Sequence, residues 1–290
     1  MASITLERGG LLGRRLPVAG RATAALRRLG WLERTAVILF VVITVALVLV
    51  PLVLPHSTTR AVAAPLQGPS GAHLMGIDEQ GRDVLSRVLT GMRTSWFSAF
   101  GVIASGVIIG GLIGLAAGMI GGWVDALLMR ITDVFLSLPG PLLVLAVVSA
   151  LGPSLRNTLI AVMVVWWPFY ARIVRAEVRS VMSRPHIEAA RMGGAGWLTI
   201  ARRHVLPGTF GSVLVTASLD VSALLITLAG LSFLGLGSPA PAPELGAMSA
   251  RGLTYLFTGW WVPVFPAIGV FILAFIANLC GDGVRDLMEL

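Results

Sequence analysis

The chain has 290 residues, 56% hydrophobic and only 12% charged, with a mean hydropathy of +0.87. A soluble domain carries about 25% charged residues, so this deficit excludes an ordinary soluble enzyme and points to a polytopic membrane protein. The net charge of +8 comes entirely from arginine, with no lysine anywhere, and it follows the loops between apolar runs, which argues against nucleic acid as a partner. Without lysine there is no P-loop, whose GxxxxGK[ST] pattern needs that side chain to reach nucleotide phosphates. If ATP drives this chain, another polypeptide binds it. A single cysteine, Cys280, excludes an intrachain disulfide and a cysteine-rich metal site, and reads as a small packing residue.

An arginine-rich head, residues 1–35, leads into the first apolar run, Ala36 to Leu54. No small-residue cleavage site follows it, so it reads as a retained span and not a signal peptide. A spanning helix needs about 20 apolar residues. Five further runs meet that requirement: Phe97 to Ile120, Leu127 to Leu151, Thr158 to Val178, Phe210 to Leu236 and Trp260 to Leu279. Six spans put both termini on one side. With the N-terminus inside, the inner segments hold seven arginines before Ala36, then Arg130, seven between Tyr170 and Pro207, and Arg285. The outer segments hold six: Arg60, Arg82, Arg87, Arg93, Arg156 and Arg251. The positive-inside bias places both termini in the cytoplasm.

The second span carries Gly106, Gly110, Gly114, Gly118 and Gly122. Spacing by four puts them on nearly one helix face, a groove into which another backbone can settle. That groove serves either packing within the bundle or a seam with a partner subunit. Trp123, Trp166, Trp167, Trp260 and Trp261 fall near span ends, as interface anchors do.

Between spans four and five lies EAARMGGAGWLTIARRHVLP, residues 188 to 207. It is too polar to cross a bilayer. Glu188 to Ile200 reads as a short helix broken at Gly193 and Gly194, with Pro185 just before it and Pro207 closing the segment. As bare pattern this is either a connecting loop or an amphipathic helix offered to another protein's socket.

Glu188-Ala189-Ala190, Gly194 and the His204-Val205-Leu206-Pro207 run resemble the EAA loop of ABC importer permeases, in particular the dipeptide/oligopeptide/nickel branch. HLMGIDEQGRDVLSRVLTGMRTS (His73 to Ser95), GGWVDALLMRITDVFLSLPG (Gly121 to Gly140), WWPFYARIVRAEV (Trp166 to Val178), LSFLGLGSPAPAPELGAM (Leu231 to Met248) and LCGDGVRDLMEL (Leu279 to Leu290) are similar to the C-type subunit of that branch. The resemblance covers about residues 36 to 290 and implies an all-α polytopic protein with six transmembrane helices, the type I ABC importer transmembrane domain. It implies a tail at 1–35, a first helix at 36–56, an external segment at 57–95, a transmembrane domain at 96–283 with its coupling loop at 180–208, and a cytoplasmic end at 284–290. It also implies partners: a homologous B-type permease, two ABC ATPase subunits or domains, an extracytoplasmic substrate-binding protein and membrane lipid. No cofactor is expected in this chain, ATP and Mg being bound by the ATPase subunits. Localisation would be the bacterial cytoplasmic membrane. Glu188, Ala189, Ala190 and Gly194 would form the docking turn, and His204, Leu206 and Pro207 would brace its return. Many relatives have glutamate where this chain has Leu228, and Asp220 stands where they have a small residue.

Ionisable residues inside spans are functional candidates by default. Asp220 lies midway along span five, either lining a substrate path or bonding Ser218, Ser222 or a neighbouring helix. Arg130 and Asp133 are spaced to pair on one helix face, and Asp125 would complement the dipole at the start of span three. Arg172, Arg175, Glu177 and Arg179 extend span four toward solvent, lipid headgroups or an ATPase. His56, His73 and His186 stand singly without an HExxH pattern, so no metal centre is expected. Gly237 to Gly259, with Pro239, Pro241 and Pro243, reads as a semi-extended external loop. An ion-driven secondary transporter using Asp220 and the Arg130–Asp133 pair is the competing function. It would favour internal repeats, and none is visible. An intramembrane enzyme would need convergent catalytic groups, and the spacing of Asp125, Asp133 and Asp220 supplies none.

Overall fold

The computed structural model describes residues 30–289. Most of the arginine-rich head (residues 1–29) and Leu290 lie outside the described residues. Among the described residues, ten α-helices account for nearly all regular structure: α1 (Trp31–Val53), α2 (Val84–Ile120), α3 (Gly122–Ser137), α4 (Gly140–Leu151), α5 (Leu155–Met182), α6 (Pro185–Met192), α7 (Trp197–Ile200), α8 (Leu206–Phe233), α9 (Leu245–Gly252) and α10 (Trp261–Glu289). Five helical stretches among the described residues are long and apolar enough to cross a membrane, and α3 with α4 make a sixth if the bent pair is one span. Alternation along the chain gathers residues 121–123 and 183–205 at one end of the bundle. Residues 54–83, 152–154 and 234–260 gather at the other.

The third span is not one rod. α3 and α4 meet at 87°, because Pro139 has no N–H to continue the ladder and forces Leu138 into extended backbone (φ −91°, ψ 137°). The second helix, conversely, starts well before Phe97. Asp83 caps it by accepting from the Ser86 N–H at 2.8 Å, and its first turns are polar, which hides them from a hydropathy reading. The segment ahead of it is a packed cap. Within it Arg82 bonds Asp78 at 2.7 Å, and Trp261 Nε1 donates to the Ile77 carbonyl at 3.0 Å. Arg87, from α2, reaches the carbonyls of Thr58 (2.6 Å) and Pro241 (2.9 Å), joining two outer segments to one helix. Gly237 to Gly259 is not extended throughout either: α9 forms there and lies on the α8 backbone, so close at Gly246 that a Cβ would overlap the Ala229 carbonyl. Glu244, just ahead of α9, is buried and accepts from Ser232 Oγ and the Ser238 N–H.

The core centres on α2, α5, α8 and α10. Trp96 is fully buried against Phe40 and Phe100 and donates to Thr44 Oγ1 at 3.1 Å, which fastens α1 to α2. Leu224, Leu225 and Leu228 of α8 and Leu273 of α10 belong to this buried cluster, and Cys280 of α10 is buried as well. The glycine face of α2 packs on α5 within this same chain. A Cβ on Gly106 would come 3.0 Å from the Tyr170 ring, and one on Gly114 2.5 Å from the Ala171 carbonyl oxygen. A Cβ on Gly118 would strike Val178 at 2.6 Å. At Gly110 the Trp167 carbonyl already occupies the space, with Ala171 N at 2.8 Å. Gly122 is the exception: it lies beyond the end of α2, in open space, with φ +56°. Of the tryptophans, Trp123 and Trp260 are exposed near helix ends. Trp166 and Trp167 sit mid-helix and Trp261 is buried, because each has a partner inside the bundle.

Gly110→Ala should destabilise the purified full-length chain by about 1–3 kcal/mol, the usual cost of overpacking. Gly101→Ala, whose added Cβ meets nothing, should be neutral or slightly stabilising through helix propensity. Thermal unfolding in detergent compares them, and equal melting temperatures would refute the close-approach reading.

Candidate functional site

The polar segment after α5 folds into two short helices joined by Gly193-Gly194-Ala195-Gly196. α6 starts with Pro185 at its first position and carries Glu188 in its first turn and Arg191 in its last, both suited to the helix dipole. It ends by a glycine stop. The Gly193, Gly194 and Ala195 N–H groups bond back to Ala189, Arg191 and Ala190, and Gly194 takes φ +81°, which side chains other than glycine rarely adopt.

One face of this segment is anchored. Ile187, Ile200 and Val205 pack under Val174, Val178 and Val181 of α5. The other face is apolar yet open: Met192 is 85% exposed, Trp197 72% and Leu198 53%. Glu188, Ala189 and Arg191 are exposed beside them. Leu198 and Ile200, two positions apart, face opposite ways: Leu198 points out and Ile200 in.

Pro207 does not close the segment. Trp197–Phe233 runs as one continuous helical stretch of 37 residues, carried past the proline by a π-helical turn at Ala201–Val205. In that turn the Leu206 N–H reaches back to the Ala201 carbonyl. The wider loop absorbs the donor that Pro207 lacks and relieves its clash with the preceding turn. His204 sits in this turn beside His186, ring centroids 5.6 Å apart.

The charged groups within spans find partners different from those the sequence suggested. Asp133 bonds Arg172 of α5 at 2.6 Å instead of Arg130, because α5 lies alongside α3 and its arginines reach across. Asp125, in the first turn of α3 as expected, is 7% exposed and is clasped by Arg175 and Arg179. The arginines following span four are thus largely engaged inside the chain. Asp220 accepts from the Tyr170 hydroxyl at 2.9 Å and from Trp166 Nε1 at 3.4 Å. Ser218 and Ser222 instead bond carbonyls of their own helix. Asp220 thereby ties α8 to α5, immediately beside the glycine contact.

Nor do the histidines stand singly. His56 and His73 converge on Asp83 at the far end of the bundle. Burial alone would raise the Asp83 carboxyl, but hydrogen bonds from the Ser86 N–H, the Ser86 hydroxyl and His73, with the charge of His56, hold it below the usual carboxylate range. Residues 17 and 27 positions apart in sequence carry no spacing signal, so only the folded loop reveals this grouping.

Known proteins share this architecture. The chain is 37% identical over 256 residues to the probable D,D-dipeptide transport system permease protein DdpC of Escherichia coli (strain K12), covering 88% of this chain and 86% of that one. It is 40% identical over 223 residues to the glutathione transport system permease protein GsiD of Pectobacterium atrosepticum, covering 77% and 74%. Among solved structures, an inward-facing MetNI methionine ABC transporter matches with TM-score 0.53 and 25% identity, over 70% of this chain and 97% of that one. An amino acid ABC transporter matches in fold with TM-score 0.54 at 16% identity, over 71% and 94%. The family model for the binding-protein-dependent transport system inner membrane component matches residues 106–289. The chain belongs to that family and is a membrane-embedded permease component of an ABC importer.

Proposed function

We propose that this permease carries dipeptides, oligopeptides or similar small peptide-like cargo across a bacterial cytoplasmic membrane, with both termini in the cytoplasm. It pairs with a homologous permease, receives cargo from an extracytoplasmic binding protein, and is driven by two ATPase subunits that bind ATP and Mg. The cargo class follows from relatives named for dipeptides and glutathione, the orientation from the arginine distribution. The observation that carries the coupling role is the anchored helix α6 with its uncovered apolar knob of Met192, Trp197 and Leu198. A surface of that kind, rimmed by Glu188 and Arg191, suits a cleft on a partner protein better than it suits water.

In this reading ATP binding draws the ATPases together and they displace α6. The movement passes directly into α5 through Ile187, Ile200 and Val205, and into α8 through the continuous π turn. Alternating access then follows from the relative movement of whole helices. ATP and cargo each shift the balance only through unequal affinity for the two states. Glu188, Ala189, Ala190 and Gly194 form the docking turn, and His204, Leu206 and Pro207 hold its return. The chain itself makes and breaks no bonds.

Glu188→Arg and Gly194→Trp should leave the complex assembled in the membrane yet uncouple ATP hydrolysis from uptake in proteoliposomes. Gly194→Trp acts through strain at positive φ and through bulk at the docking surface. Normal ATP-dependent uptake by both variants would count decisively against the coupling role.

Asp220 is assigned to holding α5 and α8 together. Asp220→Leu leaves the Tyr170 hydroxyl without its acceptor and should cost about 1–3 kcal/mol, whereas Asp220→Asn keeps an acceptor and should cost less than half as much. Uptake abolished by Asp220→Asn with unchanged thermal stability would instead place the carboxylate on the cargo path.

A further inference from the structure

Three side chains remote in sequence meet at the outer end of α2. His56 comes just after α1, His73 from the middle of the packed cap, and Asp83 from the N-terminus of α2. The Nδ1 atom of His73 lies 3.0 Å from Asp83 Oδ1, and the Nδ1 atom of His56 lies 3.9 Å from the same oxygen. One ligand atom from each residue falls within 4.8 Å of the other two. The imidazole rings are 4.8 Å apart between centroids and tilted by 44°.

The group is oriented from behind. Ser86 donates its N–H (2.8 Å) and its hydroxyl (2.7 Å) to Asp83 Oδ2, which fixes the carboxylate and turns Oδ1 toward the imidazoles. The capping role of Asp83 thus accounts for Oδ2, and a simple hydrogen bond accounts for His73. Neither accounts for His56, whose Nδ1 atom is shielded from solvent and has no hydrogen-bond partner among the described residues. A buried polar atom left without a partner calls for an explanation, an ion among them.

We propose that His56, His73 and Asp83 form a binding site for a divalent transition-metal ion, with zinc the best fit. Two imidazoles and one carboxylate form a ligand set that Zn²⁺ accepts with bonds of about 2.0–2.2 Å. Tetrahedral bonds of that length separate neighbouring ligand atoms by about 3.3–3.5 Å, and the observed 3.0 and 3.9 Å bracket that value. Calcium and magnesium prefer all-oxygen surroundings and are disfavoured. The His56 side chain remains 32% exposed, which leaves a fourth position open to water. On binding, the His73–Asp83 hydrogen bond gives way to bonds to the ion, and His73 ligates through Nδ1 as the neutral imidazole with its one proton on Nε2. The ion would fasten the end of α1, the packed cap and the start of α2 to one point.

The test is titration of Zn²⁺ alone into the purified full-length chain in lipid nanodiscs, carrying no polyhistidine tag, with calorimetry and elemental analysis. One ion per chain is expected. Loss of an outer-shell partner typically costs about 10–100-fold in metal affinity, so His56→Gln, which removes a ligand, should weaken binding more than about a hundredfold. His56 Nδ1 makes no hydrogen bond, so this variant should melt with the metal-free wild type, which separates lost binding from lost folding. His204→Gln, at the other end of the bundle, should bind as wild type does. Co²⁺ in place of Zn²⁺ should show visible ligand-field bands that vanish in His56→Gln. No stoichiometric zinc in the wild type, equal binding by His56→Gln, or binding lost only with His204→Gln would each overturn the assignment. None of these readouts depends on transport, so they stand apart from the proposed function.

Discussion

The close approach of α2 and α5 is the constraint on which the rest of the bundle depends. At Gly110 and Gly114 an added Cβ would run into the α5 backbone, at Gly118 into the Val178 side chain, and at Gly106 it would crowd the Tyr170 ring. In lipid, where burying an apolar side chain against another gains little over burying it in acyl chains, such contact supplies the association energy through dispersion and packing. Everything else is placed relative to this pair. α3 is drawn onto α5 by Asp125 and its two arginines, α8 is joined by Asp220, and α1 is held to the outer half of α2 by Trp96.

The docking segment gains its firmness from the same helix. α5 passes from the glycine contact, through the arginine clasp, to Val174, Val178 and Val181, which seat Ile187, Ile200 and Val205. The exposed knob therefore stands on a helix that cannot shift without moving α2. A loop joined only by its two ends would yield to a push, whereas this one rests on a packed apolar seat.

Much of this was legible in the sequence, for identifiable reasons. Five glycines at a spacing of four announced a helix face that meets another backbone, which holds for all but Gly122, and Glu188 to Ile200 announced a short helix broken at Gly193 and Gly194, which the fold divides into α6 and α7. The all-helical fold followed from the apolar runs. What escaped was set by contacts between distant segments. The bend at Leu138 and Pro139 was hidden because both arms are apolar and a hydropathy window averages across them. Asp133 chose Arg172 over Arg130, since proximity between helices outweighs spacing within one. The order of the external segment ahead of α2 left no trace in the sequence pattern, because it comes from Arg82, Arg87 and Trp261 bonding across the chain. Pro207 looked like a stop, and only the π turn shows how a helix passes it.

That turn has a geometric consequence. At 1.5 Å per residue, the 37-residue stretch from Trp197 to Phe233 is about 55 Å long, nearly twice the roughly 30 Å thickness of a hydrocarbon core. Such a strut must project beyond the lipid or lean steeply within it.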